Sequence, residues 1–205
     1  GILNVCKRYV QSPLASVSGV GSANVRQRID AILANRIGEA TGVWQKMLQD
    51  DVTIFLGIAG ALSAGGLRLI IAELIERRFV DCIVSTGANL YHDLHEARGR
   101  RHYLGSPQAD DAALASERID RVYDTYVDEE EFIDNDNWIA GFTRTLERRP
   151  FTSREFLYRL GGHLWETTGQ DGILTAAYRA SVPIFCPAIA DSSIGMGVSQ
   201  ARQTL

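Results

Sequence analysis

Residues 52–99 read VTIFLGIAGALSAGGLRLIIAELIERRFVDCIVSTGANLYHDLHEARG, and the fold class follows from this stretch. It opens on VTIFLG (52–57), a continuous apolar, β-rich run that predicts a strand buried on both faces. IAGALSAGG comes next, built almost wholly of small residues. It leads into an amphipathic helix over about 66–79, with Leu67, Ile70, Ile71, Leu74 and Ile75 on the apolar side and Glu73, Glu76, Arg77 and Arg78 outside. DCIVST (81–86) reads as a second buried strand, and GANLYHDLHEARG as a turn running into another helix. Strand, helix and strand at this spacing form a βαβ unit, which requires a parallel sheet.

Working outward, VPIFCPA (182–188) is a third buried strand, ending in the small, polar turn IADSSIGMG. Between these lie a looser region with one short strand expected around Arg121–Tyr126 and a helix over about 129–148 with Phe132, Trp138, Ile139 and Phe142 inward. Thr152 and Glu155 have capping-box spacing and open a further helix through Phe156, Leu157, Leu160 and Leu164; a short helix follows at 171–180. Toward the N terminus, two helices are expected at 24–35 and 38–49, carried by Val25, Ile29, Ile32 and Leu33 and then by Val43, Trp44, Met47 and Leu48. Residues 1–22, rich in Ser, Gly and Pro, read as irregular. With no internal repeat and no linker, the expectation is one domain over 1–205: an α/β, Rossmann-like parallel sheet flanked by helices.

Composition narrows the function. A net charge of −4 and a pI near 5.6 argue against an electrostatic nucleic-acid binder. The sequence opens on no basic-then-apolar leader and holds no apolar run long enough for a membrane span. Cys6, Cys82 and Cys186 are odd in number and widely spaced, which fits a reducing cytoplasm. Only Lys7 and Lys46 are lysines, and residues 65–205 contain none.

Each of the three strands ends in a loop of small residues: Gly57–Gly66, Thr86–Asn89 and Ala190–Gly197. Ligands of open α/β sheets bind at the carboxyl ends of strands, where small residues let phosphates approach helix-start N–H groups. No G-x-G-x-x-G is present, and each loop alone serves equally well for tight helix–sheet packing. Taken together, the three favour a nucleotide or cofactor. Asp191 follows a strand directly, so it can accept from a ribose or cap the next helix. Thr86 and Asn89 can touch a ligand or close the turn after DCIVST. His92 and His95 share a helix face, but the rest of a metal set is missing, with His102 assigned to a basic loop; a pocket-wall or capping role is preferred. His163 reads as a packed histidine, and the DEEEFIDND run (128–136) as a solvated helix start.

TIFLGIAGALSAGGLR (53–68), FVDCIVSTGANLYHDLHEA (79–97) and VPIFCPAIADSSIGMG (182–197) resemble, in order and spacing, consecutive blocks of the deoxyhypusine synthase family. STGANLYHDLH is most similar to the bacterial deoxyhypusine-synthase-like branch, which includes homospermidine synthases. The resemblance covers about residues 50–197 and leaves 1–40 poorly matched. It implies an NAD-dependent enzyme that oxidises spermidine, cleaves off its aminobutyl group and passes it through a lysine imine to an acceptor amine. That acceptor is putrescine or a lysine of a translation factor, and the assembly is a homotetramer. Gly60, Ala61, Ala64, Thr86 and Gly87 are then expected beside NAD; Asp191 matches a family aspartate that contacts the cofactor, which raises that role above capping. Two departures stand out. Tyr91 and His92 occupy the places of adjacent glutamates, His92 being counted with the cofactor wall, and Met196 replaces an aspartate that grips the polyamine. The family's later Gly-rich turn, polyamine-contacting histidine and W-G-K nucleophile do not occur in this sequence. The chain alone is therefore expected to lack turnover, and a catalytically inactive NAD-binding or subunit-interaction paralogue is the alternative.

Overall fold

The β-rich runs that bracket the first helical stretch pair as parallel strands. A computed structural model of the chain describes residues 22–203, with side chains from residue 34 to 201. The expected irregular segment therefore lies outside the described residues except for Ser22, which begins a helix. The chain divides into two compact units between Ile54 and Phe55.

Among its described residues, the first unit holds one helix, α1 (Ser22–Met47), across the span where two were expected. Nothing between 35 and 38 stops a helix: Gly38 is tolerated inside it, and Arg36 and Glu39 pair across a turn at 3.1 Å. The side chains of Val25, Ile29, Ile32 and Leu33 lie outside the described residues. Of the second apolar set, Val43 is exposed rather than inward, while Trp44, Met47 and Leu48 are half-buried.

In the second unit β1 (Phe55–Ile58), β2 (Cys82–Ser85) and β6 (Ile184–Phe185) form a parallel sheet in the order β1-β2-β6. The register sets Phe55 opposite Cys82 and Ile83 opposite Ile184. The centre of this sheet is β2, and Ile83 is fully buried. The expectation of two buried faces fails for β1. It begins three residues later than the apolar run and lies at the sheet edge, with Phe55 64% exposed. The connecting segment is a π-helical turn at Ser63–Leu67, with Gly66 in the left-handed region, followed by α2 (Arg68–Glu76). Ile71, Leu74 and Ile75 face inward as the periodicity predicted, whereas Leu67 is exposed.

After β2 come α3 (Gly87–Ala97), β3 (Tyr103–Leu104) and α4 (Asp111–Ser116). The single strand expected around 121–126 is instead a hairpin, β4 (Ile119–Val122) and β5 (Thr125–Asp128), turning at Tyr123 with φ 57°. Tyrosine is an unusual residue for that conformation, so the turn carries no sequence signal. These strands make a separate antiparallel sheet, β3-β5-β4.

The rest is helical: α5 (Glu129–Thr145), α6 (Ser153–Thr168), α7 (Ile173–Ala180) and α8 (Ser193–Gln203). Thr152 caps α6 as predicted, its hydroxyl accepting from the Glu155 N–H at 3.1 Å. Leu90, Leu94, Leu160, Leu164, Ile173 and Ile194 are fully buried, each contributing roughly 1.5–3 kcal/mol of transfer free energy. Among the described residues, no helix is long and apolar enough to cross a membrane.

Gly161 and Gly162 sit inside α6, where glycine is a poor helix former. The reason is α7: a β-carbon at 161 would run into the Leu174 carbonyl oxygen, and one at 162 would meet the Tyr178 ring. Gly161→Ala is expected to lower stability by about 1–3 kcal/mol through overpacking, read as a drop in the urea unfolding midpoint. An unchanged midpoint would mean that α6 and α7 separate freely.

Candidate functional site

The carboxyl ends of β1 and β2 are tied together by one side chain. Asn89, fully buried on the first turn of α3, donates from Nδ2 to the Ala59 carbonyl at 3.2 Å and to Thr86 Oγ1 at 3.0 Å, while its Oδ1 accepts from the Ser63 N–H at 3.2 Å. Thr86 Oγ1 in turn donates to the Gly60 carbonyl at 2.6 Å, and Ser63 Oγ to the Asn89 carbonyl at 2.7 Å. The loop after β1 is thereby held by side chains of the turn after β2. Thr86 stands at the N-cap of α3, but its hydroxyl caps none of that helix's backbone N–H groups. Around Gly60, Gly65 and Gly66 there is open space where a β-carbon would sit, so this backbone is accessible to a ligand.

The loop after β6 packs on the same edge through Gly87. A β-carbon there would overlap Ser192, so glycine is needed for the second and third loops to touch. Ser192 also caps α8, its Oγ accepting from the Gly195 N–H at 3.4 Å and donating to the Ile189 carbonyl at 2.6 Å. Asp191 is thus relieved of the cap. It is exposed, and among the described residues its carboxylate has no hydrogen-bond or ion-pair partner.

Behind this edge, the inner face of α3 is polar and buried. Asp93 accepts from the N–H groups of Ile173 at 2.8 Å and Leu174 at 2.9 Å, which caps α7, and from Arg68 Nε at 3.2 Å. Arg68 also donates to the Asp171 carbonyl. Burial pushes the Asp93 carboxyl up, against Arg68 and the two N–H donors that pull it down.

His102, from the segment after α3, brings the histidines together. Its Nδ1–H donates to Glu96 Oε1 at 2.7 Å, so its bare Nε2 accepts from His92 Nδ1–H at 2.8 Å. His95 donates from Nε2 to the Arg101 carbonyl at 3.3 Å and receives Asn135 Nδ2 at Nδ1 at 2.8 Å. Burial, reinforced by His102 and His95, lowers His92 to about 4. Burial likewise takes His95 to about 4, against the Arg101 hydrogen bond. At Glu96 burial opposes ionisation, but the His102 hydrogen bond and the Arg68 charge outweigh it and hold the pKa low. Glu131 Oε2 is buried without a hydrogen-bond partner, 3.5 Å from His95 Nε2. Among the described residues, no three His, Cys, Asp or Glu side chains are placed to hold a metal ion.

The acidic run that opens α5 is not simply solvated. Asp128 caps the helix, Asp134 pairs with Arg98 at 3.0 Å and with Arg100 at 2.9 Å, and Asn135 is fully buried. Asp136 Oδ1 accepts from the Tyr91 hydroxyl at 2.8 Å, and the same hydroxyl lies 2.9 Å from the Phe132 carbonyl, which competes for its single proton. His163 stacks between Trp138 and Phe142, at ring-centroid distances of 5.1 and 5.0 Å, as a packed residue.

A parallel sheet with three small-residue loops on one edge is shared by many enzymes, and comparison with known proteins resolves the family. The deoxyhypusine synthase family model matches residues 24–204. The chain belongs to the deoxyhypusine synthase family. It is 43% identical over 202 residues to the probable deoxyhypusine synthase 2 of Methanosarcina acetivorans, covering 95% of this chain and 58% of that one. The deoxyhypusine synthase-like protein of Coxiella burnetii is 43% identical over 166 residues, covering 79% of this chain and 47% of the relative. The chain spans about half the length of these curated relatives. A crystal structure of an Entamoeba histolytica protein assigned to deoxyhypusine synthase shares the fold, with a TM-score of 0.55 and 22% identity over 74% of this chain and 46% of that one. The family match extends further toward the N terminus than the three sequence blocks suggested.

Within this deoxyhypusine synthase fold, Gly60, Ala61, Thr86, Gly87 and Asp191 gather at the carboxyl edge of the sheet, with buried Ala64 just inside it. His92 lies deeper along α3, buried and bonded to His102. Sequence reasoning set Asp93 beside His92 and His95 in YHDLHE but missed His102 as part of that cluster, and with it Arg68 and Asp136. The pairing of Arg68 with Asp93 left a signal. Arg68 is in step with Ile71, Ala72 and Ile75, and Asp93 sits between Leu90, Leu94 and Ala97. Opposite charges on two apolar stripes call for each other.

Proposed function

We propose that this chain forms the NAD-binding part of an aminobutyl transferase that takes spermidine as donor and an amine as acceptor. The observation that carries the reading is the unpartnered Asp191 carboxylate at the carboxyl edge of the sheet, facing solvent beside loops of open glycine backbone. These residues fit a dinucleotide. Gly60, Gly65 and Gly66 allow close backbone approach, and Asp191 can accept hydrogen bonds from ribose hydroxyls. Asn89, Thr86 and Ser63 hold the first loop in place before a ligand arrives, which lowers the ordering entropy lost on binding. NAD, when bound, supplies the hydride acceptor for amine oxidation.

Two observations bear on the acceptor. Tyr91 and Met196 stand where the family resemblance sets carboxylates, so putrescine, giving homospermidine, is a second reading beside a translation-factor lysine. Residues 65–205 contain no lysine, so no primary amine of this edge can form the imine that aminobutyl transfer uses. A role in NAD binding or subunit interaction without turnover therefore stands as the third. A homotetramer in the cytoplasm is part of the same proposal.

Calorimetric titration with NAD tests it. Wild-type chain is expected to bind, and Asp191→Asn to bind at least about tenfold more weakly through the lost charge-assisted contacts. Equal affinity in the variant would remove Asp191 from the cofactor wall. No binding by the wild type would sink the reading.

A further inference from the structure

Helices α5 and α8 lie against each other because Gly197 has no side chain: a β-carbon there would press on Ile139 and on the Asp136 carbonyl. Their contact leaves a recess of about 350 Å³ lined by Asp136, Ala190, Met196, Ser199 and Gln200. Ala190 immediately precedes Asp191, so the recess opens beside the proposed cofactor edge.

Asp136 is the acidic group of this recess. Its Oδ1 is fixed by the Tyr91 hydroxyl at 2.8 Å; among the described residues, Oδ2 has no hydrogen-bond partner and no arginine or lysine pairs with the carboxylate. A half-buried carboxylate with one oriented oxygen and one open oxygen is suited to a cation that brings its own N–H donors. Helix α8 contributes Met196 beside the polar Ser199 and Gln200. Met196 is 58% exposed and offers a surface for methylene groups. Two of the three positions where the family resemblance sets carboxylates, 91 and 196, thus adjoin the carboxylate of a third helix: Tyr91 orients it, and Met196 lines the same recess, while His92 turns to His102 instead.

Resting on the proposed transferase reading, we infer that Asp136 is the anchor for an ammonium group of an aliphatic polyamine, with Tyr91 as its positioning residue and Met196 flanking the carbon chain. The negative charge absent at 91 and 196 is supplied from α5. Burial raises the Asp136 carboxyl pKa despite the Tyr91 hydrogen bond, a strain that a bound ammonium relieves.

The test is calorimetry with spermidine, and separately with NAD, on wild type, Asp136→Asn and Asp136→Asn combined with Met196→Asp. Asparagine keeps an acceptor for Tyr91 and removes the charge. Asp136→Asn is expected to weaken spermidine at least about tenfold and leave NAD affinity unchanged; the added Met196→Asp, which returns a carboxylate from the other wall, restores most of the loss. Spermidine affinity unchanged in Asp136→Asn overturns the anchor. So does a wild-type chain that binds NAD but no spermidine, with the cofactor reading intact. A chain that binds neither overturns both.

Discussion

Asp93→Asn is expected to destabilise the fold by about 3–5 kcal/mol, the range for removing one member of a buried ion pair. Asp93 is fully buried and joins three elements: Arg68 on α2, its own helix α3, and the first two N–H groups of α7. Asparagine retains one acceptor oxygen. One N–H of α7 then loses its partner, and the buried Arg68 charge keeps only the more distant Glu96 carboxylate, at 3.6 Å. Urea unfolding followed by circular dichroism measures the loss. Adding Arg68→Met to Asp93→Asn should recover part of it, because the stranded charge goes with the arginine. A single variant within experimental error of wild type would mean that α7 is capped some other way.

Acidification should produce the other large effect. His92 and His95 are held near pKa 4 by burial, against an ordinary value of 6.5. Below 6.5 the unfolded chain takes up protons that the folded chain refuses, so stability falls as the pH drops from about 6.5 toward 4. The linkage gives on the order of 3 kcal/mol for each histidine across the full window. The groups facing this pair are His102, Glu96, Glu131, Asn135, Arg100 and the Arg101 carbonyl. Glu96 has a lowered pKa, so its contribution is present above its ordinary value of 4.5 and disappears below it, deepening the fall at the acid end. The raised carboxyls of Asp93 and Asp136 act in the opposite sense and flatten the total. The clean readout is therefore a difference in slope. Between pH 7 and 4.5, wild type should lose stability more steeply than a His92→Gln, His95→Gln variant, whatever the offset between them. Parallel lines would mean that both histidines protonate in the folded state as readily as in the unfolded one.

The parallel βαβ core was legible because it depends on local pattern. VTIFLG, the Leu–Ile face of α2 and DCIVST each carry their period in a few residues, and small-residue loops mark the strand ends. Less legible were features set by who lies beside whom. That β1 sits at a sheet edge depends on its neighbours, which a strand's composition does not record. The hairpin at Tyr123 turns through a residue that advertises no turn. The DEEEFIDND run reads as uniformly acidic, yet its members differ sharply once α5 packs: Asn135 is buried against His95, Asp134 meets two arginines, and Asp136 faces Tyr91 and the recess. At the candidate site, the small-residue loops that hold Gly60, Thr86 and Gly87 were legible as strand ends, and they lie at the carboxyl edge of the parallel sheet. The pairing of Arg68 with Asp93 showed only as a charge in step with each apolar stripe, since neither stretch records which element packs against it.

The contact between Gly87 and Ser192 carries a consequence for how this edge can diversify. Positions 87 and 192 are 105 residues apart in the chain, yet they share one volume, since a β-carbon on the first overlaps the second. A lineage that acquires alanine at 87 must shift or shrink what stands at 192, and with it Asp191 just before α8 and the helix start that carries Met196 into the recess. Drift at a plain-looking glycine is thereby channelled into the part of the fold where ligand preference would be altered, so the two sites evolve as one character.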